Sequence, residues 1–192
     1  MNTISILAIP VLFTILLPTQ TSTTVVDTVT LNRIRVGFYV AVEDEDTTQA
    51  LMTFIRDEFS DDHHQYPAVI LAYYAALEGL RGRHSSNPLS KFVHVSNAVE
   101  KMNEAVEKEP RLLEGRFLRF SFFHQIPGIF GVRDRVAVDL KETIEILEKR
   151  NYEFVDERQQ QDMIGYLLGT DEPDAEQRSR LEQLVEEQPS TP

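Results

Sequence analysis

Residues 87–110 read NPLSKFVHVSNAVEKMNEAVEKEP, and this stretch decides the fold. Asn87 ahead of Pro88 forms an N-cap followed by a residue whose fixed φ suits the first helical turn. Phe92, Val95, Val99, Met102 and Val106 then step by three, four, three and four, which puts all five on one helix face. Glu109-Pro110 closes the helix, because a proline disfavours helical geometry at the residue before it. A helix this long with a single apolar stripe needs neighbours to cover the stripe.

The neighbours follow in both directions. Toward the N-terminus, Pro67 opens a helix over 68–83 rich in small residues, with Ala72, Ala75, Ala76 and Gly79. Leu51, Phe54, Ile55 and Phe59 stand at helical spacing over 47–59, and Asp61 to Gln65 forms the loop between these two helices. Over 27–42 the helical spacing of Leu31, Ile34, Phe38 and Ala41 competes with an alternation of Ile34, Val36, Phe38, Val40 and Val42 that suits a strand. Gly37 also weakens a helix there, and the acidic run Glu43 to Asp46 ends the segment in either reading.

Toward the C-terminus, Pro110 starts a helix through Leu113, Phe117, Leu118, Phe120 and Phe123 that is apolar on most sides and therefore central. A turn at Gln125 to Gly128 leads to a helix ending near Arg150, with Ala137, Leu140, Ile144 and Leu147 on its inner face. Asp156 and Gln159 have capping-box spacing and open a helix to Leu168. A last helix covers about 174–187, and residues 189–192 form a frayed tail. The pattern predicts an all-α fold of antiparallel helix pairs in one domain over 24–188.

Composition sets the compartment and removes whole classes of chemistry. Ile4 to Leu17 is an apolar run followed by Pro18 and small polar residues. It suits the core of a signal peptide over 1–23 and is shorter than the roughly 20 residues of a spanning helix. The expected product is exported, periplasmic or secreted, with an uncleaved N-terminal anchor as the alternative and no stable membrane span after cleavage. The chain has no cysteine, which removes disulfides, thiolate metal sites and cysteine nucleophiles. A formal charge of −12 argues against nucleic acid as partner, since phosphate needs a basic face.

Ala98, Met102 and Ala105, followed by Pro110, resemble the second helix of a tetratricopeptide unit, in which small residues flank a larger apolar one before a closing proline. Leu140, Ile144 and Leu147 repeat the four-then-three spacing. Small side chains at such positions let helix backbones approach closely. The resemblance spans roughly 68–150, and it implies tetratricopeptide-like helix pairs, with an irregular helical bundle as the other solution. The offset of the two triplets exceeds the ~34 residues of that repeat, and its first-helix aromatic and glycine positions are not met in register. Arg116 to Phe120 is similar to stretches in secreted bacterial proteins, which carries no activity with it.

Charge is the most informative functional feature. Residues 81–135 hold ten Lys or Arg against six Asp or Glu, a local +4 in a strongly acidic chain. Arg81, Arg83, Arg116 and Arg119, with Phe123 beside them, are the expected ligand-binding residues, because arginine grips carboxylates through paired donors. The alternative use for these arginines is pairing with the acidic flanks. The expected function is that of a non-enzymatic module binding a peptide or protein that carries an acidic group; a structural envelope protein is the alternative, and an enzyme with an unrecognised site ranks below both. No catalytic residue, cofactor or metal is assigned. Asp61, Asp62, His63 and His64 form the densest set of metal-ligand types but lack helical ligand spacing, so they read as a solvated loop. His84, His94 and His124 stand alone without a nucleophile motif and read as surface or cap residues. Phe117, Phe120, Phe122, Phe123 and Phe130 read as core, and the apolar connection from Ile126 to Val132 either packs over the bundle or lines a binding mouth.

Overall fold

The computed structural model describes residues 26–150 and 155–187, so the expected signal segment over 1–23 and the tail expected to fray over 189–192 lie outside the described residues. Among the described residues there are eight α-helices and no strand: α1 (Thr28–Ala41), α2 (Glu45–Glu58), α3 (Ala68–His84), α4 (Pro88–Lys108), α5 (Leu113–Gln125), α6 (Arg133–Glu148), α7 (Glu157–Leu168) and α8 (Ala175–Glu187). Short 3-10 turns stand at His63–Gln65 and Gly128–Phe130.

Local chemistry explains the boundaries. Asp27 caps α1 by accepting from the Val29 and Thr30 amides, which resolves the helix-or-strand ambiguity in favour of the helix. Gly37 serves that helix rather than breaking it: a Cβ there would stand 3.1 Å from Leu51 Cδ2, so its absence lets α1 and α2 close up. The acidic run does more than end α1. Asp44 caps α2, and Glu45 and Asp46 fill the first turn, where the helix dipole favours negative charge. Asn87 caps α4 as its sequence indicates, and the Asp156–Gln159 capping box is formed. Pro110 does not open the next helix; α5 starts at Leu113 after a turn.

Consecutive helices pair as α1 with α2, α3 with α4, α5 with α6 and α7 with α8, the α3–α4 contact being the most extensive. Further contacts of α1 with α3, α3 with α5 and α6 with α8 link the pairs into one array. Ala98, Met102 and Ala105 are fully buried on α4, and Leu140, Ile144 and Leu147 are buried on α6. Two inner positions differ from the periodicity. Ala137 is exposed, its place inside being taken by Val136, and Phe92 leaves the α4 stripe to stack on Phe130 at 5.2 Å. Small residues bring α3 against its partners, since a Cβ on Gly82 would stand 3.1 Å from Val95 and 3.4 Å from the Lys91 carbonyl oxygen.

Candidate functional site

The four arginines singled out by charge do not converge on one groove. Arg119 donates from Nε and Nη2 to the two oxygens of Asp139, each at 2.7 Å, and from Nη1 to Asn103 at 3.1 Å. Arg116 donates to the same Asp139 at 2.8 Å and to the Pro110 carbonyl. Asp139 is fully buried, so this pair of cations neutralises a carboxylate between α5 and α6. Arg81 reaches Glu78 at 3.3 Å on its own helix. Phe123 is fully buried, with the Arg119 guanidinium 5.8 Å from its ring centre. Arg83 differs from the other three: its contact with Glu43, 3.0 Å long, is exposed on both sides, and a pair of that kind holds a side chain weakly.

Arg83 stands on the wall of a cavity of about 560 Å³. Four of the helices supply most of that wall. Phe38 and Tyr39 come from α1, Tyr73, Ala76, Gly79 and Leu80 from α3, Phe117, Ser121 and Phe122 from α5, and Met163 and Tyr166 from α7. These are the first helices of the four pairs. From α4 only Lys91 and Val95, near its N-terminus, reach the space. The aromatic set therefore divides by role, Phe117 and Phe122 facing the cavity while Phe120 and Phe123 are core. The connection after α5 also serves two ends. Ile126 and Pro127 line the cavity, and Phe130 packs on Phe92.

Some exposed apolar side chains are close along the chain to lining residues, Leu89 and Phe92 to Lys91 and Ile129 to Pro127. Ile129 is 79% exposed, Leu89 73% and Phe92 50%. The polar groups of the lining are Arg83, Lys91, Ser121, Gln125 and Asp162, together with the phenols of Tyr39, Tyr73 and Tyr166.

Beneath the cavity a second buried charge pair fixes the wall. Arg35 on α1 donates from Nε and Nη2 to the two Glu114 oxygens at 2.8 and 2.6 Å, and the Tyr73 hydroxyl donates to Glu114 at 2.7 Å. Burial, then the adjacent Glu114 carboxylate, pushes the Tyr73 phenol well above its ordinary range. The three helices α1, α3 and α5 are thereby locked together under the space they enclose.

The isolated histidines are each engaged. His94 contacts buried Glu78 at 2.8 Å, His124 contacts Glu172 at 3.0 Å, and His84 contacts the Ala41 carbonyl at 3.2 Å. Asp62, His63 and His64 bring ligand-type atoms within 4.8 Å of one another, and Glu104 of α4 joins them at 2.9 Å from His64 Nδ1. Sequence reasoning missed Lys91, Asp162 and the cavity itself. Their shared surroundings depend on how four helices separated along the chain are stacked, and no local signal encodes that.

No family model, curated protein or solved structure matches the chain.

Proposed function

We propose that the chain is an exported, non-enzymatic module of tetratricopeptide-like helix pairs that binds a peptide or protein partner and takes an apolar segment of it into the cavity. One observation carries the reading: the first helix of each pair contributes to a single apolar cavity of about 560 Å³. That volume falls within the usual range of ligand pockets and accepts bulky apolar side chains. The exposed Leu89, Phe92 and Ile129, which are close along the chain to lining residues, support a macromolecular partner that covers more than the cavity. An acidic group on the partner meets Arg83 and Lys91 at the wall. Of the residues expected to bind, this leaves Arg83 in the role, with Lys91 added. Arg81, Arg116, Arg119 and Phe123 support the helices behind it.

Panning a displayed library of random peptides against the protein tests the reading. The expected yield is peptides with bulky apolar residues next to an acidic one. Ser121→Trp fills the cavity from α5 and should weaken them by at least about tenfold, with an unchanged melting midpoint. Arg83→Ala should relax the acidic preference. A Ser121→Trp protein that binds the selected peptides as well as wild type, or a library that yields no enriched sequence, overturns the proposal. Export rests on the apolar run from Ile4 to Leu17 and is tested separately. Mass spectrometry of protein from its native host should find an N-terminus between Thr19 and Val25, whereas an intact Met1 in a soluble cytoplasmic fraction would remove export from the reading.

A further inference from the structure

We infer that Asp62, His63, His64 and Glu104 form a binding site for a divalent transition ion of the zinc class. None of the four residues lines the peptide cavity. The sequence alone offers adjacent residues of one loop, without the spacing of ligands that converge on a metal. Folding adds the missing element, because α4 carries Glu104 to the turn from forty positions away.

The distances fit the chemistry. Zinc bound by imidazole and carboxylate at about 2.0–2.1 Å in a tetrahedron separates its ligand atoms by about 3.3 Å. Glu104 Oε2 stands 2.9 Å from His64 Nδ1 and 4.0 Å from His63 Nε2, values on either side of that edge. The ligand-type atoms of Asp62, His63 and His64 lie within 4.8 Å of one another. Glu104 meets both imidazoles and Asp62 lies near both, so the two histidines are the members that the two carboxylates share. Two imidazoles with two carboxylates, and no thiolate, select zinc or a neighbouring divalent ion over calcium, which prefers oxygen ligands throughout.

The surroundings hold these groups in place. Lys108 contacts Glu104 Oε1 at 3.5 Å and donates to the His64 carbonyl at 2.6 Å, so it fixes the carboxylate from behind while Oε2 faces the imidazoles. Asp62 accepts from the His64 amide at 3.1 Å and from the Gln65 side chain at 3.2 Å. Outer contacts of this kind orient metal ligands and tune them. The two imidazoles are neighbours, their ring centres 4.2 Å apart. A bound ion would tie the turn between α2 and α3 to the side of α4.

Calorimetric titration of the full chain with zinc chloride, after treatment with a chelator, tests the assignment. Saturable one-to-one binding is expected, with the melting midpoint raised by zinc through linkage. Cobalt in place of zinc should give the intense visible absorption of a four-coordinate ion. Glu104→Gln should weaken zinc by at least about tenfold, and His63→Ala with His64→Ala should abolish the stoichiometric event. In chelator, the double variant should melt close to wild type, since His64 is exposed and His63 is only partly buried on a short turn. Unsaturable binding, a weak six-coordinate cobalt spectrum, or zinc affinity that survives either variant overturns the site. The outcome leaves peptide capture at the cavity untouched, as Ser121→Trp does not alter these four residues.

Discussion

Arg119 grips Asp139 through two parallel hydrogen bonds, Nε to Oδ2 and Nη2 to Oδ1, both 2.7 Å long, with Asp139 fully buried. This geometry makes Arg119 a structural partner of α6. Arg119→Ala leaves the carboxylate with Arg116 alone in a dry setting, and should destabilise the fold by about 3 kcal/mol. Arg116→Ala removes a single hydrogen bond to that carboxylate and should have a smaller effect. Urea melts of both variants give the comparison. If Arg119→Ala kept the wild-type midpoint and lost peptide binding, the arginine would belong to the recognition surface instead.

The Arg35–Glu114–Tyr73 cluster yields an ordered pair of effects. Glu114→Ala strands a buried guanidinium and a buried phenol together, and should lower stability by about 3–5 kcal/mol. Tyr73→Phe removes one hydrogen bond while Arg35 keeps both carboxylate oxygens, so about 1 kcal/mol is expected. Denaturant titration checks the order. Equal losses in the two variants would show that the Tyr73 hydroxyl, and not the Arg35 ion pair, carries the stability of the cluster.

Alkaline pH should weaken the fold in a definite window. Burial, then the neighbouring Tyr74, pushes the Tyr66 phenol up to about 12, and its hydroxyl donates to the Ser60 carbonyl at 2.6 Å. In the unfolded chain the same phenol ionises near 10. Because the folded value is raised, this contribution is fully present below pH 10 and is lost as pH climbs toward about 12. The buried Tyr73 acts in the same direction. Melting midpoints recorded across that range should fall more gently for Tyr66→Phe than for wild type, and a parallel fall would assign the loss to other groups.

Helices and their caps were legible because they are local. Asn87 with Pro88 and Asp156 with Gln159 each place donor and acceptor within three residues, and both caps form as read. Met102 was legible as core from spacing alone. The charge partners were not. Ten cations against six anions over 81–135 reveals a local excess, yet nothing in that count says that Asp139 lies between Arg116 and Arg119. Arg35 meets a carboxylate 79 positions away, and His64 meets Glu104 at a separation of forty. Which carboxylate a cation reaches is decided by helix stacking, and stacking is decided by side-chain fit along whole faces. Phe92 shows the same limit, since its spacing placed it inside, whereas it is half exposed and stacks on Phe130, 38 positions on.

Gly79 and Gly82 lie three positions apart on α3 and should respond differently to the same added methyl group. At Gly82 a Cβ would meet Val95 Cγ2 at 3.1 Å, His94 Cβ at 3.4 Å and the Lys91 carbonyl oxygen at 3.4 Å. These atoms are a methyl of a stiff β-branched side chain, a Cβ fixed to the α4 backbone and a backbone oxygen of α4, so the α3–α4 interface itself must open. Gly82→Ala should therefore be destabilising by about 1–3 kcal/mol, the usual range for overpacking, despite the better helix propensity of alanine. At Gly79 a Cβ would stand 2.6 Å from Phe122 Cε2, a closer clash with a ring that borders open space in the cavity. The ring can swing into that space, and the helix propensity gained is about 1 kcal/mol, which offsets much of the rotamer strain. The net change for Gly79→Ala should stay within about 1 kcal/mol of wild type, while the displaced Phe122 narrows the cavity and weakens the selected peptides. Melts and peptide titrations on the two variants separate the roles. Comparable destabilisation at both positions would mean that Phe122 has no room to move, and the cavity would then be smaller in solution than the wall residues enclose.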